Sequence, residues 1–233
     1  DLHDARADGG TGIQRSLSGF LVTCGLDNAR QPRDGLPLHG TLPLTPARVI
    51  ACGEDWNRPN PQLYAEGEVV TAHLRGACFR LHRRIEAPVG GTSLTLTDRV
   101  ENIGPEAAEM HILYHTNFGY PMVGEETRLR LDAAPLAAVD GETLCQPTPG
   151  GATAEIARPA ADDWPGVSVG IESDLPYFQV WQDTRPRRNV LALEPSNCDR
   201  EADGTSGPGT RLAPGESWQT RLRYTFSSTS QGE

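Results

Sequence analysis

Apolar and polar residues alternate with a period of two over many short segments, and Gly, Pro and Asp separate these segments. Alternation is typical of β-strands, because successive side chains point to opposite faces of a sheet. No window shows a convincing apolar stripe with a 3.6-residue period, and the 19 prolines disfavour long helices. The pattern predicts strands at 67–75, 77–86, 92–101, 109–118, 176–183, 189–194 and 218–226.

These strands predict an all-β fold, a large antiparallel β-sandwich. At 233 residues the chain can bury one substantial core, so we expect residues 1–233 to form a single domain. Long loops are predicted at 27–62 and 197–213, and the segment 158–166 predicts a short helical turn at most. The polar, glycine-rich start indicates a truncated beginning, with residues 1–16 poorly structured.

The composition and charge of the chain argue against several classes of partner and chemistry. The net charge of −10 argues against a nucleic-acid partner, since phosphates require a clustered basic surface. No apolar run approaches the roughly 20 residues that span a bilayer, so we expect no membrane partner. The five cysteines are scattered, which indicates reduced thiols and a cytoplasmic location. All basic residues are arginine, so this chain has no lysine that could form a Schiff base.

The strand at 109–118 runs into the sequence LYHTNFGYP at 113–121 and has one unusually polar face. Its polar face carries His111, His115 and Asn117. Its apolar face carries Met110, Ile112, Tyr114 and Phe118. The sequence alone leaves open whether the polar face is simply solvated or forms a site.

Two charged residues lie in the apolar phase of their strands. Arg83 shares its phase with Phe79, Leu81 and Ile85, and Asp98 shares its phase with Leu94, Leu96 and Val100. An inward charge is costly unless it is paired. Arg83 and Asp98 are therefore predicted either to form a buried ion pair or to contact a ligand.

Further candidates lie near strand ends and in a loop. Glu194 closes the apolar segment NVLALEP, where Pro195 is expected to end the strand. Glu194 either has a raised pKa suited to proton transfer or is a solvated residue at the strand end. His39 lies in a separate, proline-rich loop. Scattered residues such as His111, His115 and Glu194 give little support for zinc, so we expect no metal. The strand YFQVWQD places Tyr177, Gln179, Trp181 and Asp183 on one face. This face either stacks against a sugar ring and hydrogen-bonds its hydroxyls, or is the solvated face of an edge strand.

Several motifs in this order resemble the aldose-1-epimerase-like family of the galactose mutarotase-like superfamily. The closest resemblance is to a bacterial branch long catalogued as a domain of unknown function, and it covers roughly residues 17–226. It implies a β-supersandwich with a concave sugar-binding sheet. Family members begin before SGFLVTCGLDN, so we expect this chain to lack N-terminal strands and an arginine that they carry. The motifs are TCGLDN (23–28), LHG (38–40), LYHTNFGYP (113–121), YFQVWQD (177–183) and ALEPSNC (192–198).

The resemblance implies a carbohydrate epimerase or mutarotase that interconverts sugar anomers without a cofactor. It implies that His115 is the general acid, Glu194 the general base and His39 an orienting group. The alternatives are a non-catalytic carbohydrate-binding module and an isomerase acting on a keto-sugar in the same pocket. The expected partner is a small-molecule sugar, and the sequence leaves open whether the chain forms a homo-oligomer. The candidate sugar contacts are Arg83, Asp98, Asn117, Gln179, Trp181 and Asp183.

Overall fold

The computed structural model describes residues 19–73, 76–161, 164–185 and 189–229. Two antiparallel β-sheets pack face to face, with a continuous apolar core between them. Tyr114 and Leu193 enter this core from one sheet, and Leu96 and Tyr224 enter it from the other. The predicted antiparallel all-β fold is therefore confirmed. The predicted poorly structured start, residues 1–16, lies outside the described residues.

The first sheet has six strands and the second has nine. In the first, β1, β6, β13, β12 and β9 are neighbours in that order, and β14 pairs with β6. In the second, the order is β2, β3, β4, β5, β15, β11, β10, β7 and β8. The strands are β1 (Leu21–Leu26), β2 (Arg48–Asp55), β3 (Gln62–Ala72), β4 (Cys78–Pro88), β5 (Ser93–Asn102), β6 (Ala108–Phe118), β7 (Arg128–Leu131), β8 (Ala134–Leu136), β9 (Thr143–Pro147), β10 (Ala152–Arg158), β11 (Gly166–Ser173), β12 (Tyr177–Asp183), β13 (Val190–Ser196), β14 (Thr210–Leu212) and β15 (Ser217–Thr229).

All seven predicted strands are present, as β3, β4, β5, β6, β12, β13 and β15, and most of their ends differ from the prediction by at most three residues. The strand predicted at 67–75 is the exception, because β3 begins five residues earlier, at Gln62, and residues 74–75 lie outside the described residues. The two predicted long loops are partly wrong. The first contains β2, whose residues are mostly exposed and so lack a clear alternation, and the second contains the short β14. Pro195 does not end its strand. The strand continues to Ser196, since proline loses the N–H donor but keeps its carbonyl acceptor.

Helical structure in the described part of the chain is limited to one 3-10 turn, Leu42–Leu44. The predicted helical turn at 158–166 is not found: β10 ends at Arg158, Ala161 and Trp164 form an isolated β-bridge, and β11 begins at Gly166. Residues 162–163 within that segment lie outside the described residues. No helix in the described ranges is long and apolar enough to cross a membrane.

Strand β6, which lies between β1 and β13, is buried on both faces over most of its length. Its apolar phase, which includes Tyr114, points into the core between the sheets. Its polar phase is covered by the loops that follow β1 and β13, so that His115 is only 2% exposed. Leu113, in the same phase, packs with Ala29 and Cys198 from these two loops. The polar face of LYHTNFGYP is therefore enclosed rather than solvated.

Candidate functional site

Three side chains form a row across the outer face of the six-stranded sheet. Gln179 on β12 lies opposite Glu194 on β13. The register of β13 with β6, in which Leu193 faces Thr116, places Glu194 beside His115. Opposite residues of antiparallel strands project from the same face. Accordingly, His115 Nε2 and Glu194 Oε1 are 3.6 Å apart, and both side chains are almost completely buried.

His39 reaches this row from the loop after β1. Its N–H donates to the carbonyl of Arg30 (2.9 Å), and its own carbonyl accepts from the N–H of Gly25 (3.1 Å). Its Nδ1 lies 3.0 Å from the carbonyl oxygen of Ala29, and because a carbonyl only accepts, this nitrogen carries the proton. The rings of His39 and His115 meet edge to face with centroids 5.4 Å apart.

The LHG sequence explains how the loop approaches so closely. His39 and Gly40 both have positive φ values, 64° and 73°. A Cβ at Gly40 would lie 2.1 Å from the carbonyl oxygen of Asn28. Only glycine fits this contact, so Gly40 holds the loop, and with it His39, against the sheet.

A buried arginine orients the carboxylate. Arg30, only 3% exposed, donates from Nη1 to Oε1 of Gln179. A guanidinium can only donate, so the amide oxygen of Gln179 faces Arg30 and its nitrogen faces Glu194. Gln179 Nε2 accordingly donates to Glu194 Oε2 at 2.6 Å. The other carboxylate oxygen, Oε1, has no hydrogen-bond partner and faces His115.

Burial shifts the ionisation of all three titratable groups. Burial raises the pKa of Glu194 to about 7, against the opposing effects of His39, Arg30 and the hydrogen bond from Gln179. Burial also lowers the pKa of His115 to about 4. The pKa of His39 falls to about 4, first through burial and then through its proximity to His115. Near pH 7 both histidines are therefore neutral, and Glu194 is partly protonated.

These groups line a small cavity of about 70 Å³. The indole of Trp181, half-buried, lies 6.3 Å from the His115 ring between centroids. The site thus combines a carboxyl group, a neutral imidazole and an aromatic wall, which suits acid–base chemistry on a small polar ring. The lining consists of Arg30, Gln31, Leu38, His39, His115, Thr143, Gln179, Trp181, Glu194, Arg200 and Gly204.

The structure brings together five of the nine predicted site residues: His39, His115, Gln179, Trp181 and Glu194. The other four, Arg83, Asp98, Asn117 and Asp183, are not part of this lining. The amide of Asn117 donates to the carbonyl of Gly19 (2.8 Å). Asp183 accepts two hydrogen bonds from the guanidinium of Arg185, at 2.8 and 2.6 Å, and a third from its backbone N–H at 3.2 Å.

Arg83 and Asp98 form the buried ion pair that was one of the two expectations. They lie opposite each other on β4 and β5, in the sheet that does not carry the cavity. Arg83 donates to both carboxylate oxygens of Asp98, at 2.8 and 2.6 Å. The Tyr114 hydroxyl donates to Asp98 from the other sheet at 2.6 Å. Because these bonds occupy both side chains inside the sandwich, their placement does not favour the ligand-contact alternative.

Sequence patterns did not identify several lining residues, above all Arg30 and Arg200. Both lie in loops without periodicity, Arg30 in the loop after β1 and Arg200 in the loop after β13. The one available signal is the position of Arg30, two residues after the end of the TCGLDN motif. Among the described residues, no group of three or more His, Cys, Asp or Glu side chains is arranged to hold a metal ion.

The sequence and the fold were compared with those of known proteins. The sequence profile of DUF4432, a domain of unknown function, matches residues 2–160. No curated protein matches the sequence.

Solved structures match nearly the whole chain at low identity. A candidate aldose 1-epimerase from Klebsiella pneumoniae is 19% identical, with 96% of this chain and 66% of that protein covered and a TM-score of 0.68. This chain thus spans about two thirds of the Klebsiella protein. A galactose mutarotase related enzyme from Lactobacillus acidophilus (13% identity, 91% and 84% covered) has a TM-score of 0.66. A galactose mutarotase-like protein from Lactobacillus casei (15% identity, 89% and 84% covered) has a TM-score of 0.61.

These structural matches show a shared fold. The family match extends over more than half of the sequence. The resemblance inferred from the motifs is therefore confirmed: the chain belongs to the DUF4432 family and has the galactose mutarotase-like fold.

Proposed function

We propose that this protein is a carbohydrate epimerase of the aldose 1-epimerase type, which interconverts the α and β anomers of a sugar. The observation that carries the proposal is the enclosed pair formed by His115 and Glu194, 3.6 Å apart. The two reacting oxygens of a cyclic sugar, the anomeric hydroxyl and the ring oxygen, are bonded to the same carbon. An acid and a base this close together can therefore reach both.

The proposed reaction moves two protons. The Glu194 carboxylate removes the proton of the anomeric hydroxyl, and protonated His115 donates a proton to the ring oxygen. The bond between C1 and the ring oxygen breaks, giving an open-chain aldehyde. Rotation about the C1–C2 bond presents the other face of the carbonyl, and reversal of both transfers closes the ring as the opposite anomer.

The ionisation of the pair suits this cycle. With pKa values of about 4 for His115 and about 7 for Glu194, the pair holds one mobile proton between these limits. With these values the proton resides mainly on Glu194, so it passes to His115 before the ring opens, and ring opening returns it to Glu194. We therefore expect kcat/KM to fall above about pH 7, where the pair loses the mobile proton.

The direct test is exchange NMR of anomers over a panel of aldoses. His115→Gln and Glu194→Gln should each reduce kcat by about 100-fold or more, as expected for the loss of a positioned acid or base. A matched control exists on the other sheet, where His82 and Glu66 are also 3.6 Å apart but partly exposed. His82→Gln and Glu66→Gln should leave exchange unchanged.

Other outcomes would contradict the proposal in distinct ways. Sugar binding without accelerated exchange would indicate a carbohydrate-binding module. Deuterium incorporation at C2 in heavy water would indicate an isomerase acting beyond the anomeric carbon. Wild-type turnover by either site variant on a proven substrate would refute the assigned roles.

A further inference from the structure

Arg200 is a second arginine in the cavity lining. Its guanidinium makes few contacts with the described part of the protein. Its one hydrogen bond within the described residues is a long one, from Nη1 to the carbonyl oxygen of Glu201 at 3.5 Å. The nearby carboxylate of Asp199 accepts the backbone N–H of Arg200 at 2.7 Å rather than its side chain. Arg200 thus has no ion-pair partner among the described residues.

Arg30, the first arginine of the lining, is bound very differently. Its three guanidinium nitrogens donate to Gln179 and to the backbone carbonyls of Cys198 and Asp199. Through Gln179 it is linked to Glu194, so its charge and its donors both serve the acid–base pair. The donors of Arg200 remain available to a ligand.

The charges of the lining do not balance. It contains two guanidinium groups and one carboxyl group, that of Glu194. Burial keeps His39 and His115 neutral near pH 7, since it lowers the pKa of each to about 4. The lining itself is therefore net positive whether or not Glu194 is ionised, and with the nearby carboxylate of Asp199 included it is net positive when Glu194 is protonated. A positive cavity attracts anions.

The loops around Arg200 are fixed in a way that leaves space beside it. The N–H of Gln31 donates to the carbonyl of Gly204 at 3.3 Å, which joins the loop after β1 to the loop after β13. Gly204 has a φ of 87°. A Cβ at this position would lie 2.9 Å from Arg200 Nη2 and 2.8 Å from Gln31 Cγ. Glycine adopts this positive φ without strain, and its lack of a side chain leaves space beside the guanidinium.

We infer that Arg200 binds an anionic group of the sugar, so that the substrate is an acidic sugar bearing a carboxylate or a phosphate ester. The inference rests on the proposed function, because it takes the acid–base pair as the reacting end of the same cavity. A guanidinium matches the geometry of carboxylate and phosphate oxygens, and such charge-assisted hydrogen bonds are stronger than those to a neutral hydroxyl.

The test compares sugars that differ only at C6. Anomer exchange is measured by NMR for D-galacturonate against D-galactose and for D-glucuronate against D-glucose, with D-glucose 6-phosphate as the phosphate ester. Dissociation constants are measured in parallel by calorimetry. We expect one class of anionic sugar to exceed its neutral counterpart in kcat/KM by about tenfold or more, the value of one additional charged hydrogen bond. The better anion identifies carboxylate or phosphate as the recognised group.

The variant Arg200→Gln should reduce this anionic-to-neutral ratio by about tenfold. Arg99→Gln is the matched control, since Arg99 lies on the other sheet, where it contacts Ser217 and Glu101. Equal or better turnover and binding of the neutral sugars, or an unchanged ratio in Arg200→Gln, would overturn the inference. Arg200-dependent binding of the anion without anomer exchange would support the inference and refute the proposed reaction.

Discussion

The amide of Gln179 determines which oxygen of Glu194 faces His115. Arg30 occupies the amide oxygen, so the amide nitrogen must point to Glu194 Oε2. Oε1 is left as the oxygen available for proton exchange. Gln179 is therefore a positioning residue in the proposed reaction, acting on the proton exchange through Glu194.

This arrangement predicts a shift in the pH profile of a Gln179 variant. The hydrogen bond from Gln179 lowers the pKa of Glu194, opposing the larger effect of burial. Gln179→Met removes this donor while keeping a side chain of similar length, so the pKa of Glu194 should rise. The fall in kcat/KM above about pH 7 should then move to higher pH, as followed by anomer exchange between pH 5 and 9.

A purely structural role for Gln179 would produce a different result. It would lower the rate at every pH and leave the position of the fall unchanged. Gln182→Met is a suitable control, since Gln182 lies on the same strand and donates to the carbonyl of Ala138 instead. The pH profile of that variant should match the wild type.

At the scale of the strands, alternation predicted which residues share a face but not which strands are neighbours. The phase of β6 and β12 correctly grouped His115 with the polar face and Gln179 with Trp181. Gln179 and Glu194 lie on consecutive strands, but His115 joins their row only through the pairing of β13 with β6, which is distant in sequence and which local alternation does not encode. From the sequence, only the resemblance of the motifs to a known family predicts that His115 and Glu194 share one site.

The alternation pattern does not predict how the loops that carry Arg30 and Arg200 fold. Arg30 and Arg200 have no periodic neighbours that would mark them as inward, because their burial depends on where two loops fold over a sheet. The same loops enclose the polar face of β6, for which the sequence leaves open solvation or a site. Long-range contacts of this kind, such as that between Gln31 and Gly204, are absent from local sequence signals.

The strands β4 and β5 carry a polar contact that links the two sheets. Asp98 is fully buried and accepts from Arg83 on the neighbouring strand and from Tyr114 on the other sheet. Arg83 also donates to the hydroxyl of Thr23 at 2.7 Å. Removing one partner leaves an unpaired charge in the sandwich, which is more costly than removing both.

We therefore predict that Asp98→Asn and Arg83→Met each reduce the free energy of unfolding by about 3 kcal/mol. The double variant should lose clearly less than the sum of the two, as measured by urea denaturation in a double-mutant cycle. Anomer exchange by the folded variants should be unaffected. Weakened sugar affinity in Arg83→Met with normal stability would instead restore Arg83 as a ligand contact.

At the scale of the whole molecule, the buried site makes stability depend on pH in two opposing ways. His39 and His115 have lowered pKa values in the folded protein, so their burial destabilises it as the pH falls from 6.5 toward 4. Glu194 has a raised pKa, so its contribution is most favourable at low pH and is lost as the pH rises toward 7. Comparing the wild type with a Glu194 variant separates the two effects.

We predict that Glu194→Gln is more stable than the wild type above pH 7 and that this advantage disappears near pH 4.5. Below its unfolded pKa of 4.5 the carboxyl is protonated in both states, whereas above about 7 the folded protein must hold a buried carboxylate. Since one pKa unit corresponds to about 1.4 kcal/mol, the difference reaches roughly 3 kcal/mol. The glutamine retains an oxygen that can accept from Gln179, so that hydrogen bond is preserved. Urea denaturation at pH 5 and pH 8 measures both values, with the exposed Glu172→Gln as the control. Equal stability of Glu194→Gln and the wild type at pH 8 would show that the carboxylate is well solvated or paired, and that burial does not hold it ready to accept a proton.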